Sequence, residues 1–373
     1  MKSDPKSWDA LFSASKESSS EERVFYTLIR HGEELLAVPD GANFLKEALS
    51  LYSPQTFKAR TAKSIFQLVL STPLAGLLPH RKVTIQTNPF ANFLFSVLEK
   101  SAAPSPLSKA KGAPCFSVLS GNPGTRGRRF VFLLFDDLGT PACVVKVGLD
   151  HEAQSLVRRE ADFLEVHSPG FSTMPGLVGR LDTEQFSALA LPFLAGPSPS
   201  ADCHADVKKI LSSWLSKDKP IALGDIPAWQ GLPVDSAIPE KKTAEMVDRL
   251  VTPSLMHGDF APWNLRVGPS GRWTALDWER GQDPGVPGWD WFHYVVQTSL
   301  LVQNDSPEEI LQRLEKLWMA PEFQAYAESS GIKGLEMPLL AGYLIHAKHL
   351  QQAEGSEQIE QLLSLVGRKI FPS

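Results

Sequence analysis

The chain changes from a strand-like to a helical pattern along its length, and this order limits the folds open to it. Three short runs rich in β-branched and aromatic residues, separated by glycine-bearing turns, predict a small antiparallel sheet. They are Cys115–Leu119, Arg129–Phe135 and Ala142–Val147. Apolar residues recur at helical spacing from Glu152 to His167, and beyond a further strand at Phe186–Phe193 the chain is mostly helical. The order predicts the α+β class.

The first hundred residues have a mixed pattern of their own. Val24–Ile29 and Glu34–Val38 read as a hairpin, and residues 43–51 and 57–70 have apolar spacing compatible with helices. Residues 101–114 are rich in Ala, Pro, Ser and Lys, which indicates a linker. A chain of 373 residues exceeds the usual size of a single hydrophobic core. We therefore predict an N-terminal α/β extension over residues 1–100 and a linker over residues 101–114.

Composition argues against several classes of protein. The formal net charge is −5 and the isoelectric point is near 6.0, whereas nucleic-acid binding normally needs a basic balance. The three cysteines have no paired spacing, so neither a zinc site nor a disulfide framework is expected. The sequence has no recognisable secretory signal or membrane span. We expect a soluble, cytoplasmic protein that binds neither nucleic acid nor membranes.

Residues 257–264, His-Gly-Asp-Phe-Ala-Pro-Trp-Asn, carry the clearest chemical signal. Asp259 is followed five residues later by Asn264, so a carboxylate and an amide lie on one short loop. Phosphoryl transfer from ATP needs a carboxylate that orients the acceptor hydroxyl and accepts its proton. It also needs oxygen ligands that hold Mg²⁺ against the phosphates. This spacing is the spacing between base and metal ligand in a kinase catalytic loop.

A second carboxylate is predicted to reach the same loop. The apolar runs 265–267 and 273–276 flank the turn sequence Gly-Pro-Ser-Gly, so they read as a hairpin. That hairpin returns the chain and delivers Asp277 to the loop. Two carboxylates and an amide are then expected to converge, and Mg²⁺ prefers such oxygen donors.

The segment 257–264, followed by Asp277-Trp278-Glu279, resembles the signature of the aminoglycoside phosphotransferase and choline kinase family. The resemblance implies a protein-kinase-like, two-lobed fold. A small antiparallel β-sheet lobe with the hinge would occupy residues 115–196, and a helical lobe would occupy residues 197–373.

The resemblance also implies a role for each matching residue. Asp259 would be the catalytic base, and His257 would support the loop. Asn264 and Asp277 would bind Mg²⁺. Asp290 falls where the family has an acid that hydrogen-bonds the backbone of the catalytic loop, so it is assigned a structural role.

A lysine inside a β-branched run needs a physical reason, because an unpaired buried ammonium is costly. Lys146 is such a residue, in the run Val-Val-Lys-Val. The kinase resemblance implies that it contacts the α- and β-phosphates and pairs with an acid on the next helix. We favour Glu160 as that acid, and Glu152 is the other candidate. The alternative to the kinase interpretation is a lysine on an edge strand whose ammonium reaches solvent.

Two further segments would contact the nucleotide. The turn over residues 120–127 contains Gly121 and Gly124, whose backbone amides are predicted to cover the phosphates. The alternative is an ordinary hairpin loop with no phosphate-binding role, because such loops are also rich in glycine. The resemblance places the interlobe hinge at residues 189–196, with Leu191 and Phe193 against adenine.

These features predict a phosphotransferase that uses ATP and Mg²⁺ and acts on a hydroxyl of a small polar metabolite. The alternative is a nucleotide-binding pseudokinase that serves as an interaction protein. A protein kinase fits less well because the loop reads His-Gly-Asp and no DFG segment accompanies it. A metal hydrolase is also disfavoured, because His257 lacks a nearby second histidine. The other histidines, His293 among them, are assigned surface or core roles.

Overall fold

The computed structural model describes most of the chain, and its contacts divide it into two units. The described residues are 7–13, 20–30, 32–41, 45–51, 57–101, 114–121, 127–235, 245–350 and 356–370. The first unit runs to residue 169 and includes residues 175–194; the second comprises residues 170–174 and 195–373.

One eight-stranded sheet organises the first unit. Its strands are β1 (Ser20–Arg30), β2 (Glu33–Pro39), β3 (His80–Gln86), β4 (Cys115–Ser120), β5 (Arg129–Phe135), β6 (Pro141–Gly148), β7 (Gly179–Asp182) and β8 (Ser187–Pro192). They lie in the order β3-β1-β2-β4-β5-β6-β8-β7, and every neighbouring pair is antiparallel. The three strands from the first hundred residues therefore extend the same sheet as the β-rich runs that follow them.

Strand β5 shows why the central strands read as continuous apolar runs. Side chains along a strand point alternately to opposite faces. Phe130, Phe132 and Leu134 pack into a hydrophobic cluster on one face, and Leu133 and Phe135 pack into a second cluster on the other. All five are buried. Full burial of such a side chain contributes about 1.5–3 kcal/mol, so both faces stabilise the sheet.

Four helices of the first unit have defined bounds. They are α1 (Leu45–Ala48), α2 (Phe57–Leu70), α3 (Pro89–Ser101) and α4 (His151–His167). Helix α4 begins after Asp150, whose carboxylate caps it by accepting a hydrogen bond from the Ala153 N–H at 2.8 Å. Its buried positions Val157, Glu160 and Leu164 recur at helical spacing. Because α4 packs on β6 and β8, Glu160 lies on the sheet-facing side of the helix.

The second unit is mostly helical and contains only short strands in its described part. The strands are β9 (Ile221–Ala222), β10 (Leu250–Val251), β11 (Ser254–Met256), β12 (Leu265–Val267), β13 (Trp273–Ala275) and β14 (Gln282–Gly285). The helices are α5 (His204–Ser213), α6 (Pro227–Gln230), α7 (Trp289–Thr298), α8 (Pro307–Met319), α9 (Pro321–Ser330), α10 (Glu336–Leu350) and α11 (Ser356–Ile370). Strands pair as β9 with β10, β11 with β14 and β12 with β13.

The predicted α+β class is confirmed, with an antiparallel sheet in the first unit and helices in the second. The hairpins β1–β2 and β12–β13 form as predicted, and Leu265 lies opposite Ala275 in the latter. Helix α8 begins with a capping box formed by Ser306 and Glu309. Strands β3 and β7 and helix α3 were not predicted. Most of the predicted linker, residues 102–113, lies outside the described residues.

The helices of the described segments are too short or too polar to span a membrane.

Candidate active site

The loop after β11 has a backbone that only glycine fits at its second position. Gly258 has a φ of +76°. A Cβ at this position would lie 2.8 Å from the carbonyl oxygen of Arg280 and 2.9 Å from the Arg280 Cβ. Both the positive φ and the close approach exclude a larger residue. The backbone conformation of the loop therefore requires glycine at the second position of the His-Gly-Asp sequence.

His257 and Asp290 hold this loop from two sides. The Asp290 carboxylate accepts hydrogen bonds from the backbone N–H of His257 at 2.7 Å and of Gly258 at 3.0 Å. The His257 ring accepts a bond from the Asp259 N–H at its Nδ1 (3.1 Å), and its Nε2 donates to the carbonyl oxygen of Leu276 at 2.6 Å. Burial raises the pKa of Asp290, while the two backbone donors oppose that rise.

The Asp259 carboxylate is bound at both of its oxygens. Oδ1 lies 3.0 Å from the His293 Nε2, and Oδ2 accepts a hydrogen bond from the Asn264 Nδ2 at 3.0 Å. Burial acts to raise the pKa of Asp259, but the hydrogen bond from His293 and nearby positive charge, that of Arg280 included, outweigh it and the pKa is lowered. Asp259 is therefore ionised at neutral pH, as a general base must be.

Asn264 and Asp277 are brought together by the hairpin that follows the loop. The Leu276 N–H donates to the carbonyl oxygen of Asn264 at 2.7 Å, which places Asp277 beside Asn264. The Asn264 Nδ2 donates to both the backbone oxygen and the carboxylate of Asp259. The Oδ1 of Asn264 therefore points away from Asp259. Asp277 has a φ of +63°, a left-handed conformation that Asp tolerates better than most residues.

His293 was not recognised as a site residue from the sequence. It lies on α7, three residues after Asp290, so both side chains project from the first turns of one helix. Its Nδ1 lies 3.1 Å from the hydroxyl oxygen of Tyr343, on α10. The only sequence signal was this spacing from Asp290, because no pattern places α10 beside α7 in advance.

In the first unit, Lys146 and Glu160 form a buried ion pair. The Lys146 Nζ lies 2.6 and 2.8 Å from the two carboxylate oxygens of Glu160. Their side chains are 8% and 0% exposed. Glu152, the rival partner, is exposed in the first turn of α4. Of the two acids left open by the sequence, Glu160 is the one in contact.

The remaining predicted nucleotide contacts also lie in the first unit. Gly121 directly follows β4, and an added Cβ there would lie 2.9 Å from the carbonyl oxygen of Arg129. Gly124 lies outside the described residues. Leu191 is buried in β8, and the Phe193 N–H donates to the carbonyl oxygen of Ala142 at 3.0 Å.

Comparison with known proteins gives matches only among solved structures. No family model and no curated protein sequence matches the chain. A choline kinase from Cryptosporidium parvum Iowa II is 14% identical, with a TM-score of 0.47, over 75% of this chain and 95% of that chain. A candidate fructosamine-3-kinase from Haemophilus somnus 129PT is 13% identical, with a TM-score of 0.45, over 75% of this chain and 100% of that chain.

An aminoglycoside phosphotransferase from Streptomyces rimosus is 12% identical, with a TM-score of 0.41, over 66% of this chain and 92% of that chain. At these identities and TM-scores, no residue role is transferred from these proteins to this chain.

Proposed function

We propose that this chain is an ATP- and Mg²⁺-dependent phosphotransferase of the aminoglycoside phosphotransferase and choline kinase family. It would move the γ-phosphoryl group to a hydroxyl of a small polar metabolite, such as a sugar, amino-sugar or amino-alcohol. The observation that carries the proposal is the contact between Asp259 and Asn264, with Asp277 placed beside Asn264 by the β12–β13 hairpin.

In this reaction Asp259 is the general base. Its carboxylate orients the acceptor hydroxyl and takes its proton as the acceptor oxygen forms a bond to the γ-phosphorus. The bond from that phosphorus to the bridging oxygen breaks, and ADP leaves with the electron pair. The lowered pKa of Asp259 supports this role because the base must be ionised before it can accept a proton.

Mg²⁺ fits the donor set of the second unit. Asn264 would offer its Oδ1, and Asp277 would offer its carboxylate. No group of three or more His, Cys, Asp and Glu side chains suited to a metal is found in the described part of the chain. In nucleotide sites Mg²⁺ is commonly held by one or two protein ligands, while phosphate and water complete the octahedron. Bound there, Mg²⁺ would neutralise charge on the phosphate oxygens.

Lys146 is the proposed ligand of the α- and β-phosphates. Its bond to Glu160 fixes the ammonium and offsets the cost of burying both charges. Gly121 and Gly124 would add backbone donors to the phosphates, and Leu191 and Phe193 would contact adenine. These assignments rest on the resemblance and on the buried ion pair.

The test is an assay of ADP release against a panel of hydroxylated metabolites, with detection of the phosphorylated product. Wild-type protein should transfer phosphate to at least one acceptor in the presence of Mg²⁺, and Asp259→Asn should transfer it far more slowly. A protein that binds ATP with Mg²⁺ but phosphorylates no member of a broad panel would instead fit the pseudokinase alternative.

A further inference from the structure

A chain of hydrogen-bonding groups runs from Asp259 into the protein interior. The Asp259 Oδ1 lies 3.0 Å from the His293 Nε2, and the His293 Nδ1 lies 3.1 Å from the Tyr343 hydroxyl oxygen. His293 is 5% exposed and Tyr343 is 3% exposed. The three side chains come from the loop after β11, from α7 and from α10.

The Asp259 carboxylate and the Tyr343 hydroxyl determine which nitrogen of the His293 ring carries the hydrogen. An ionised carboxylate can only accept, so the His293 Nε2 must carry a hydrogen. In the neutral ring the Nδ1 is then an acceptor, and it requires a donor on its other side. Burial raises the pKa of Tyr343, so its hydroxyl stays protonated and can donate. Tyr343 therefore selects the tautomer that donates to Asp259.

The opposite oxygen of Asp259 is held as well. The Asn264 Nδ2 donates to Oδ2 at 3.0 Å. Two donors from different elements thus fix both the position and the plane of the carboxylate, while each oxygen keeps a lone pair for a substrate proton. Without His293, one oxygen of a side chain that is 33% exposed would be free to turn toward solvent.

We propose that His293 is a positioning residue for Asp259, and that Tyr343 sets its tautomer. Its catalytic consequence rests on the proposed function, in which Asp259 is the base. His293 does not touch the acceptor in this proposal and does not take the proton. It holds the carboxylate in the orientation that reaches the acceptor hydroxyl, and small misplacements of such groups cost up to about 100-fold in rate.

Two amide substitutions separate positioning from packing. In His293→Gln the side-chain amide can reach where the Nε2 was and can still donate to Asp259. In His293→Asn the shorter amide occupies the place of the Nδ1 and cannot reach. We expect His293→Asn to lower kcat about 10- to 100-fold, with KM for ATP changed less than about twofold. We expect His293→Gln to recover most of kcat.

The matched control is His349→Asn, an exposed histidine on α10, which should behave as wild type. Thermal unfolding of each variant monitors the fold. Equal kcat in His293→Asn and His293→Gln, whether both are impaired or both are normal, would overturn the positioning role.

A second measurement does not depend on activity. In protein labelled with ¹⁵N at histidine, the His293 ring should show the Nε2–H tautomer, and Tyr343→Phe should shift its Nδ1 resonance by removing the donor. A wild-type ring protonated at Nδ1 contradicts the inference whatever the activity. An Nε2–H ring that responds to Tyr343→Phe, in a protein that transfers no phosphate, contradicts the proposed function and the catalytic role while leaving the hydrogen-bonded chain in place.

Discussion

Lys146 and Glu160 form a two-pronged ion pair in the interior of the sheet unit, with Nζ to oxygen distances of 2.6 and 2.8 Å. The two residues lie on neighbouring elements, β6 and α4, and neither side chain is more than 8% exposed. A buried pair of this kind is rarely needed for stability, since hydrophobic residues of similar volume often replace it without loss. Stability alone therefore does not explain the pair, which agrees with the proposed role of the ammonium as a phosphate ligand.

This leads to a prediction that separates stability from nucleotide binding. Lys146→Met alone removes the cation that lies against the buried Glu160 carboxylate and should destabilise the protein by about 3–5 kcal/mol. The double variant Lys146→Met/Glu160→Leu should recover most of that loss in urea unfolding. If Lys146 holds phosphates, the double variant should still lose ATP affinity, measured by calorimetric titration. Unchanged affinity in a well-folded double variant would mean that the pair is structural.

Asp259→Asn should lower kcat by about 10²- to 10⁴-fold, the usual contribution of a general base. The amide keeps the volume of the side chain, and its oxygen can still accept a hydrogen bond from His293 or from Asn264. Nucleotide binding should therefore persist. The assay is initial-rate ADP release at saturating ATP. Asp206→Asn, an exposed change on α5, is the matched control and should leave the rate unaltered. A rate near wild type for Asp259→Asn would remove the proposed mechanism.

Asp277→Asn should raise the Mg²⁺ concentration needed for half-maximal activity by about tenfold or more, because a neutral amide is a weaker ligand than a carboxylate. Asn is the appropriate substitution because it tolerates the positive φ of this residue, whereas Ala would add backbone strain. A Mg²⁺ titration of activity checks this. The same half-maximal concentration in wild type and variant would show that Asp277 is not a magnesium ligand.

The local geometry of the site could be predicted from the sequence because it depends on short-range chemistry. The spacing of Asp259 and Asn264 places them on one loop, and the turn at residues 268–271 requires a hairpin that returns to it. The β-branched neighbours of Lys146 indicated a strand. Glu160 was favoured through the family resemblance, because apolar spacing alone puts this charged residue among the polar positions of the helix, whereas the structure buries it.

The contacts that were missed depend on long-range packing. His293 reaches Asp259 across 34 residues, and Tyr343 reaches His293 across 50, because α7 and α10 pack side by side. Periodicity shows which face of a helix is buried but not against which neighbour. Likewise, the sequence of β3 does not indicate that this strand pairs with β1, because most of its residues are polar and only two are buried.

A last prediction concerns pH and the stability of the sheet unit. Asp182 accepts hydrogen bonds from Arg180 at 2.8 and 3.0 Å and from Arg158 at 3.1 Å. Burial acts to raise the pKa of Asp182, but these donors outweigh it and the pKa is lowered.

An acid with a lowered pKa in the folded state stabilises that state at pH values above its unfolded pKa, and the contribution disappears as the pH falls through the folded pKa. Asp182→Asn should therefore reduce the free energy of unfolding by about 0.5–1 kcal/mol at pH 7, a modest value because the pairs are partly exposed and screened by water.

The difference between wild type and Asp182→Asn should shrink as the pH is lowered below about 4, and it should also shrink at high salt, where exposed charges are screened. Urea unfolding at several pH values measures it, with Asp137→Asn, an exposed acid in the turn after β5, as the control. A difference that stays constant from pH 7 to pH 3 would show that Asp182 acts through packing or neutral hydrogen bonds and not through its charge.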